Sequence, residues 1–336
     1  MSPQQVSWPV TRTTPQGQIR GRSRAIFLHH SVAQFARIDV YSDGVIKYGD
    51  GTNGYDFGSF VKAIHRGSIG TLLRRNAWLH FEERLSGLGT CTVDDFRPLT
   101  TADDLIDWTR TTIDELNPNA MELLDFGGAE YEDVDPRYPN LRRFRTVIAT
   151  FAQYAKYDAT DENIKGQPYR VAVHENGEWR VTDWMIYADG TSQLGPAGAI
   201  VSFRDIVAYA SAGMVTSSAP EGQWINMEGL GLLKPKKAFW RISPDGLIAE
   251  AADILAKLQG KVGCLPYCLG TLRSYLENPS RESLDVLREA YGRIPTHMRE
   301  TGLAIREHQI RILLGLPPAA HTDNYEADPL SGIRIS

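Results

Sequence analysis

The chain has few of the features that identify common protein classes. It contains only three cysteines, Cys91, Cys264 and Cys268, in 336 residues. This odd and sparse set predicts no disulfide framework and favours a reducing compartment, the cytoplasm. No run of about 18 consecutive apolar residues occurs, and residues 1–10 lack the basic and apolar segments of a signal peptide. We therefore expect neither a membrane span nor a secretory leader.

An excess of positive charge is also missing. The formal net charge of −5 argues against a dedicated nucleic-acid binder, which normally carries a basic domain or stripe. The exception is the segment 1–24, which holds four arginines and no acidic residue: Arg12, Arg20, Arg22 and Arg24. We interpret this segment as a flexible basic arm, either a tether for nucleic acid or an acidic partner, or a terminus that partly docks on the following domain.

Familiar catalytic and ligand-binding motifs are absent as well. The sequence has no G-x-S-x-G, Walker A, H-E-x-x-H or kinase motif. Residues 49–54 fit G-x-G-x-x-G, but the strand before them belongs to a hairpin, and the matching loop 195–198 has lost the pattern, so a plain glycine loop is expected. Cys264 and Cys268 are separated by three residues with no second ligand pair nearby. The sequence therefore predicts neither a cofactor nor a metal.

What the chain does contain is an internal duplication. The form Tyr-x-Asp-Gly at residues 41–44 returns 146 positions later at residues 187–190. The same offset aligns further identical pairs: Phe57 with Phe203, Val61 with Val207, Gly67 with Gly213, Trp78 with Trp224, and Glu82 with Glu228. After a slip to an offset of 142, residues 87–89 match residues 229–231. A period of this length is domain-sized, whereas solenoid repeats recur every ~20–50 residues.

Each copy shows the same local signals. Asp-Gly between β-rich runs predicts a hairpin, and a capped helix follows, beginning after Asp56 in the first copy and Ser202 in the second. We predict an α+β fold of two tandem homologous modules, each an antiparallel β-meander with a short capped helix and a helical extension. The predicted boundaries are an arm at 1–24, module 1 at 25–165, module 2 with C-terminal helices at 166–316, and an irregular tail at 317–336.

Three histidines, His29, His80 and His174, and one carboxylate, Glu82, are the candidate catalytic residues. His29 and His174 align within one residue in the two copies, and His80 lies in the stretch Trp78-x-His80-x-Glu82. Alternate residues of a strand share one face, so His80 and Glu82 are predicted to lie together. Imidazole near its ordinary pKa suits acid-base chemistry. The competing interpretation is that these are strand residues beside a structural tryptophan.

Exposed features that occur in only one copy are the candidate partner-binding residues. An acidic loop in module 1 could meet a basic surface, and a polar segment in module 2 has no counterpart in module 1. The predicted contacts are Glu130, Glu132, Asp133 and Asp135 in the loop, and Tyr291, His297 and Arg299 in the segment.

The Tyr-x-Asp-Gly hairpin with its capped helix, and the stretch at residues 290–299, resemble segments of uncharacterised bacterial proteins of unknown function. The resemblance covers the two β-rich repeats and part of the C-terminal helices. It implies a bacterial cytoplasmic setting and brings no catalytic residues with it.

Two functional hypotheses follow. The duplicated units and the lack of a convergent catalytic group favour a non-enzymatic intracellular binding or regulatory protein, acting through protein-protein contact, with bacterial immunity or defence as one setting. The alternative is an enzyme of an unfamiliar class whose active site lies between the modules and combines His29, His80 and His174 with a nearby carboxylate.

Overall fold

The structure, a computed structural model, divides the chain into two compact units, residues 1–261 and 262–336. The boundary predicted between residues 165 and 166 therefore lies inside the first unit. Within the described parts of the chain, no helix is long and apolar enough to cross a membrane. The structure describes residues 7–14, 17–48, 54–81, 88–118, 131–133, 142–144, 154–157, 163–239, 242–303 and 305–317.

The first unit contains two runs of elements in the same order. Copy 1 comprises β1 (Trp8–Thr14), β2 (Gly17–His29), β3 (Ala33–Tyr41), β4 (Ile46–Tyr48), α1 (Phe57–His65), β5 (Ile69–Gly70), β6 (Trp78–His80), β7 (Thr90–Pro98) and α2 (Ala102–Leu116). Two short strands follow and form a separate two-stranded sheet, β8 (Tyr131–Asp133) and β9 (Arg142–Phe144). Copy 2 comprises β10 (Tyr154–Tyr157), β11 (Asn163–Glu175), β12 (Glu178–Tyr187), β13 (Thr191–Leu194), β14 (Ile200–Ser202), α3 (Phe203–Ser211), β15 (Val215–Thr216), β16 (Ile225–Met227), β17 (Gly231–Phe239) and α4 (Pro244–Leu258).

Both copies contribute to one sheet whose strand order is symmetric. The order is β1-β2-β3-β6-β7-β17-β16-β12-β11-β10, so matched strands lie at equal distances from the central antiparallel pair of β7 and β17. The register repeats as well: Ala33 pairs with Leu79 in copy 1, and Trp179 pairs with Ile225 at the positions 146 residues later in copy 2. The α+β class and the repeated organisation predicted from the sequence are both present.

The strand pairing departs from the predicted antiparallel meander at one step in each copy. β6 pairs with β3 in parallel, and β16 pairs with β12 in parallel. Parallel neighbours need a crossover connection, which here includes α1 in copy 1 and α3 in copy 2. The sheet is therefore mixed.

The turns and caps follow the local sequence. Gly44 and Gly190 have φ of 81° and 82°, the left-handed conformation that the tight turns after β3 and β12 require. The Asp56 carboxylate accepts a hydrogen bond from the Ser59 amide at 2.7 Å at the start of α1, and Ser202 caps α3 in the same way. The interpretation of Asp56 as a structural cap is confirmed.

The prediction of a flexible basic arm is wrong for the described part of residues 1–24. These residues form β1 and the first half of β2, and they pair with each other in register. Arg12 is buried, forms an ion pair with Asp43 and lies 5.1 Å over the Tyr41 ring. Arg24 is buried and donates to Thr100 at 2.9 Å. The arginines have acidic, hydroxyl and aromatic partners far along the chain, which a local count of charges does not reveal.

The sheet encloses one core that the two copies share. Its two edge strands, β1 and β10, approach each other, so the sheet curls back on itself. The inner face buries residues from both copies, including Phe27, Phe35, Leu79, Cys91, Val181, Ile225, Met227 and Leu233. On the outer face, α1 and α2 pack over β2 and β3, while α3 and α4 pack over β11 and β12. Side chains on the outer face of the four central strands between these helix pairs stay partly exposed.

The second unit is helical. It consists of α5 (Cys264–Glu277), α6 (Arg281–Gly292), α7 (Thr296–Leu303) and α8 (Ile305–Leu313). Its core contains Cys268, Leu272, Leu287, Tyr291, Ile294, Leu303 and Ile310. The predicted tail at 317–336 lies outside the described residues beyond position 317.

Candidate functional site

The three candidate histidines have distinct local environments. His80 shares a 2.6 Å hydrogen bond between its Nδ1 and the Thr90 hydroxyl. The ring of His174 stacks on Trp179 with centroids 4.7 Å apart. His29 is half-buried at the end of β2, and burial, with Arg74 and His30 nearby, lowers its pKa. The remaining candidate, Glu82, lies outside the described residues.

The predicted partner contacts fall on different parts of the structure. Glu130 and Asp135 lie outside the described residues, and only the main chain of Glu132, Asp133 and His297 is described. Tyr291 is buried, and its hydroxyl donates to Glu307 at 3.0 Å in the core of the second unit. The guanidinium of Arg299 lies 4.4 Å over the Tyr291 ring. Burial corrects the prediction that Tyr291 contacts a partner, because its side chain is enclosed by its own helices.

The outer face of β6, β7, β17 and β16, which we call the central face, is a surface that no pattern in the sequence predicted. Its two tryptophans, Trp78 and Trp224, are half-buried. Trp78 packs on Phe239 with ring centroids 4.9 Å apart, and the guanidinium of Arg97 lies 4.2 Å over the Trp224 ring. Arg97 and Phe239 occupy matched positions at the offset of 142. Each tryptophan thus contacts the matched strand end of the other copy.

A polar groove of about 380 Å³ opens on this face, lined by Arg75, Asp94, Asp95, Arg97, Trp224 and Lys234. Asp94 lies 3.3 Å from the Lys234 ammonium and 3.5 Å from the Arg75 guanidinium. The hydrogen bond from Lys234, reinforced by the charge of Arg75, lowers the pKa of Asp94. The groove therefore presents partly compensated cations beside an aromatic ring.

The central face carries more positive than negative charge, although the whole chain has a net charge of −5. Its described cations are Arg75, Arg97, Lys234, Lys236 and Lys237, against the acids Asp94 and Asp95 and, beside β17, Glu221, which accepts from the Ala238 amide. The signal was present in the sequence as the run Lys234-Pro235-Lys236-Lys237 within one strand. This run becomes part of a cationic and aromatic surface because the fold brings β7 and both tryptophans beside that strand.

Metal and thiol chemistry have little structural basis in the described residues. No group of three or more His, Cys, Asp or Glu side chains is arranged there to hold a metal ion. All three cysteines are free. Burial raises the pKa of Cys91 to about 12 and that of Cys268 to about 11, which disfavours the reactive thiolate form.

Comparison with known proteins identifies a family for the chain but assigns it no activity. No curated protein and no solved structure shows significant similarity to the chain. The sequence profile of a domain of unknown function, DUF7638, matches residues 9–120 and 154–262. These two regions correspond to copy 1 and copy 2 and together cover more than half of the chain. The chain therefore belongs to the DUF7638 family, a family of unknown function.

Proposed function

We propose that this protein is a non-enzymatic binding protein whose central face binds an acidic segment of another protein. The observation that carries the proposal is the arrangement of five cationic side chains around two partly exposed tryptophans on a sheet face that lies between two helix-covered faces. Aromatic and arginine side chains are enriched where protein interfaces gain most of their binding energy. Cations around them favour a partner of opposite charge.

A protein partner fits this surface better than a nucleic acid does. Asp94 and Asp95 lie in the groove, where they would repel a continuous phosphate backbone. An acidic peptide can place its carboxylates at the cations and its uncharged residues beside these acids. The formal net charge of −5 also opposes long-range attraction to nucleic acid.

The enzyme alternative stays a prediction, as do a bacterial, cytoplasmic setting and a role in immunity or defence. All three candidate histidines have described side-chain contacts: Thr90 shares a hydrogen bond with the His80 ring, Trp179 packs on the His174 ring, and the Phe27 ring centroid lies 6.5 Å from that of His29. No described contact of these histidines favours catalysis over the binding function.

The test is binding of the full chain to a fluorescent glutamate-rich peptide, measured by anisotropy at low and physiological salt. We expect Arg97→Glu combined with Lys234→Glu to weaken binding at least about tenfold, because two attractive charges become repulsive. The matched control reverses two exposed cations elsewhere, Lys261→Glu with Arg273→Glu, and should bind as the wild type does.

Trp224→Ala tests the aromatic part of the same surface, and we expect it to weaken peptide binding at both salt concentrations. A single-stranded oligonucleotide of equal charge serves as the competing ligand. Equal peptide binding by the reversed-charge and control variants, or tighter binding of the oligonucleotide than of the peptide, would contradict the proposal.

A further inference from the structure

A buried network of four charged side chains crosses the boundary between the two copies. Arg37 of copy 1 lies 2.5 Å from the Asp183 carboxylate and 2.7 Å from the Glu228 carboxylate of copy 2. Asp183 also accepts from Arg170 at 3.1 Å. All four side chains are at most 10% exposed. In the order Arg170, Asp183, Arg37, Glu228, each ion pair joins opposite charges. Burial, with the like charge of Asp183 nearby, raises the pKa of Glu228.

Further contacts fix Arg170 across the same boundary. Its Nη1 donates to the main-chain oxygens of Phe35 and Phe81 in copy 1, at 3.2 and 3.0 Å. Its guanidinium also lies 4.5 Å over the Phe35 ring. Burial opposes the ionised form of Asp183, but the nearby Arg37 and Arg170 outweigh it and lower the pKa of this carboxyl.

Arg37 and Asp183 occupy equivalent positions in the two copies, because their numbers differ by the offset of 146. In a symmetric sheet, a residue near the axis meets its own counterpart. If copy 1 of one chain paired in this way with copy 1 of a second chain, Arg37 would lie against Arg37. If copy 2 paired with copy 2, Asp183 would lie against Asp183. Pairing of copy 1 with copy 2 instead sets Arg37 against Asp183, so this position then joins opposite charges.

The apolar residues of the shared core discriminate much less between the pairing of unlike copies and the pairing of like copies. Matched core positions hold residues of similar character, such as Leu79 and Ile225, or Cys91 and Leu233. Such surfaces can bury one another in either combination, since hydrophobic contact is not directional. A buried ionic group is a weak source of net stability, but it can specify which partner and register form.

From these observations we propose that the Arg37-centred network selects pairing of copy 1 with copy 2 against pairing of like copies from two chains. Its function is to keep the duplicated chain from joining to a second chain through identical halves. This inference concerns the boundary between copies and is independent of the binding function proposed for the central face.

The test is refolding of the full chain from denaturant at increasing protein concentration, with mass measured by light scattering. The variant that alters the boundary between the copies, which we call the seam variant, combines Arg37→Met with Glu228→Gln. It removes the Arg37 charge and leaves Arg170 paired with Asp183. The control combines Arg12→Met with Asp43→Asn, which removes an ion pair between a buried arginine and a partly buried aspartate that both lie in copy 1.

We expect the seam variant to give a fraction of dimers and larger species that rises with concentration, several-fold above the wild type, while the control gives the wild-type distribution. The same distribution for the seam variant and the wild type would overturn the proposal. The proposal would also be overturned if the control variant formed as large a fraction of dimers and larger species as the seam variant. A seam variant that loses its fold without forming larger species would assign the network to stability alone and would also overturn the proposal.

Discussion

Lys47 shows how the curled sheet changes the chemistry of a single residue. It lies in β4 directly opposite Asp39 and is almost fully buried. Burial, with Arg12 nearby, lowers its pKa from the usual 10.5 to about 8, although Asp39 favours the charged form. Burial raises the pKa of Asp39 in turn, opposed by Ser23, Arg37 and Lys47. Both pKa shifts favour the neutral form of the side chain, as expected for ionisable groups withdrawn from water.

A pH dependence of stability follows from Lys47. Between about pH 8 and 10.5 the unfolded chain binds more protons at this lysine than the folded chain does, so the free energy of unfolding should rise with pH in this window. We expect Lys47→Met to remove a rise on the order of 1 kcal/mol, after allowance for solvent screening. Urea unfolding at several pH values measures it. The exposed Lys236→Met should keep the rise, and an unchanged slope in Lys47→Met would refute this assignment.

The two short capped helices show which features of an element depend on neighbouring residues alone. α1 and α3 begin at positions that differ by the offset of 146, yet one uses Asp56 and the other uses Ser202 as its cap. In α3, Asp205 completes a capping box by accepting from the Ser202 amide at 3.0 Å. Different side chains supply an oxygen at one geometric position because the first turn of a helix leaves amides without internal partners.

We predict that Asp56→Ala and Ser202→Ala each lower the free energy of unfolding by about 1 kcal/mol, the usual effect of losing a helix cap. The control is Ser211→Ala, an exposed hydroxyl within α3 that bonds the Val207 carbonyl. Its effect should stay within about 0.5 kcal/mol, because alanine favours the helix and the site is on the surface. Thermal and urea unfolding supply the comparison. A cap substitution as mild as Ser211→Ala would count against the capping role.

At the scale of the whole molecule, the shared core makes the two copies of the first unit depend on each other. Leu79 and Ile225 lie at matched positions, are fully buried and belong to the same core. Side chains from one copy fill space beside side chains from the other. A cavity made in either copy therefore removes contacts from both.

We predict that Leu79→Ala or Ile225→Ala lowers stability by about 2–5 kcal/mol and speeds amide exchange in both β2–β3 and β11–β12. Hydrogen exchange read by mass spectrometry reports the two hairpins separately. Leu72→Ala, at a side chain that is 59% exposed, should leave both hairpins protected. Loss of protection confined to the mutated copy would show that the copies are separate folding units.

Features that depend on short stretches of chain could be predicted from the sequence. The duplication was visible in the repeated register, the hairpin turns in Asp-Gly, and the helix starts in Asp56 and Ser202. Each rests on contacts within a few residues, so the local sequence contains all the groups involved. The α+β class followed from these elements.

The tertiary structure decided everything that joins distant residues. It placed Arg12 against Asp43, paired β6 with β3 in parallel, and brought Arg37 to Asp183 and Glu228. The central face likewise exists only because β7 and β17 meet. Charge and aromaticity are properties of single residues, but burial and pairing depend on what the folded chain brings near them, and no local pattern in the sequence records that.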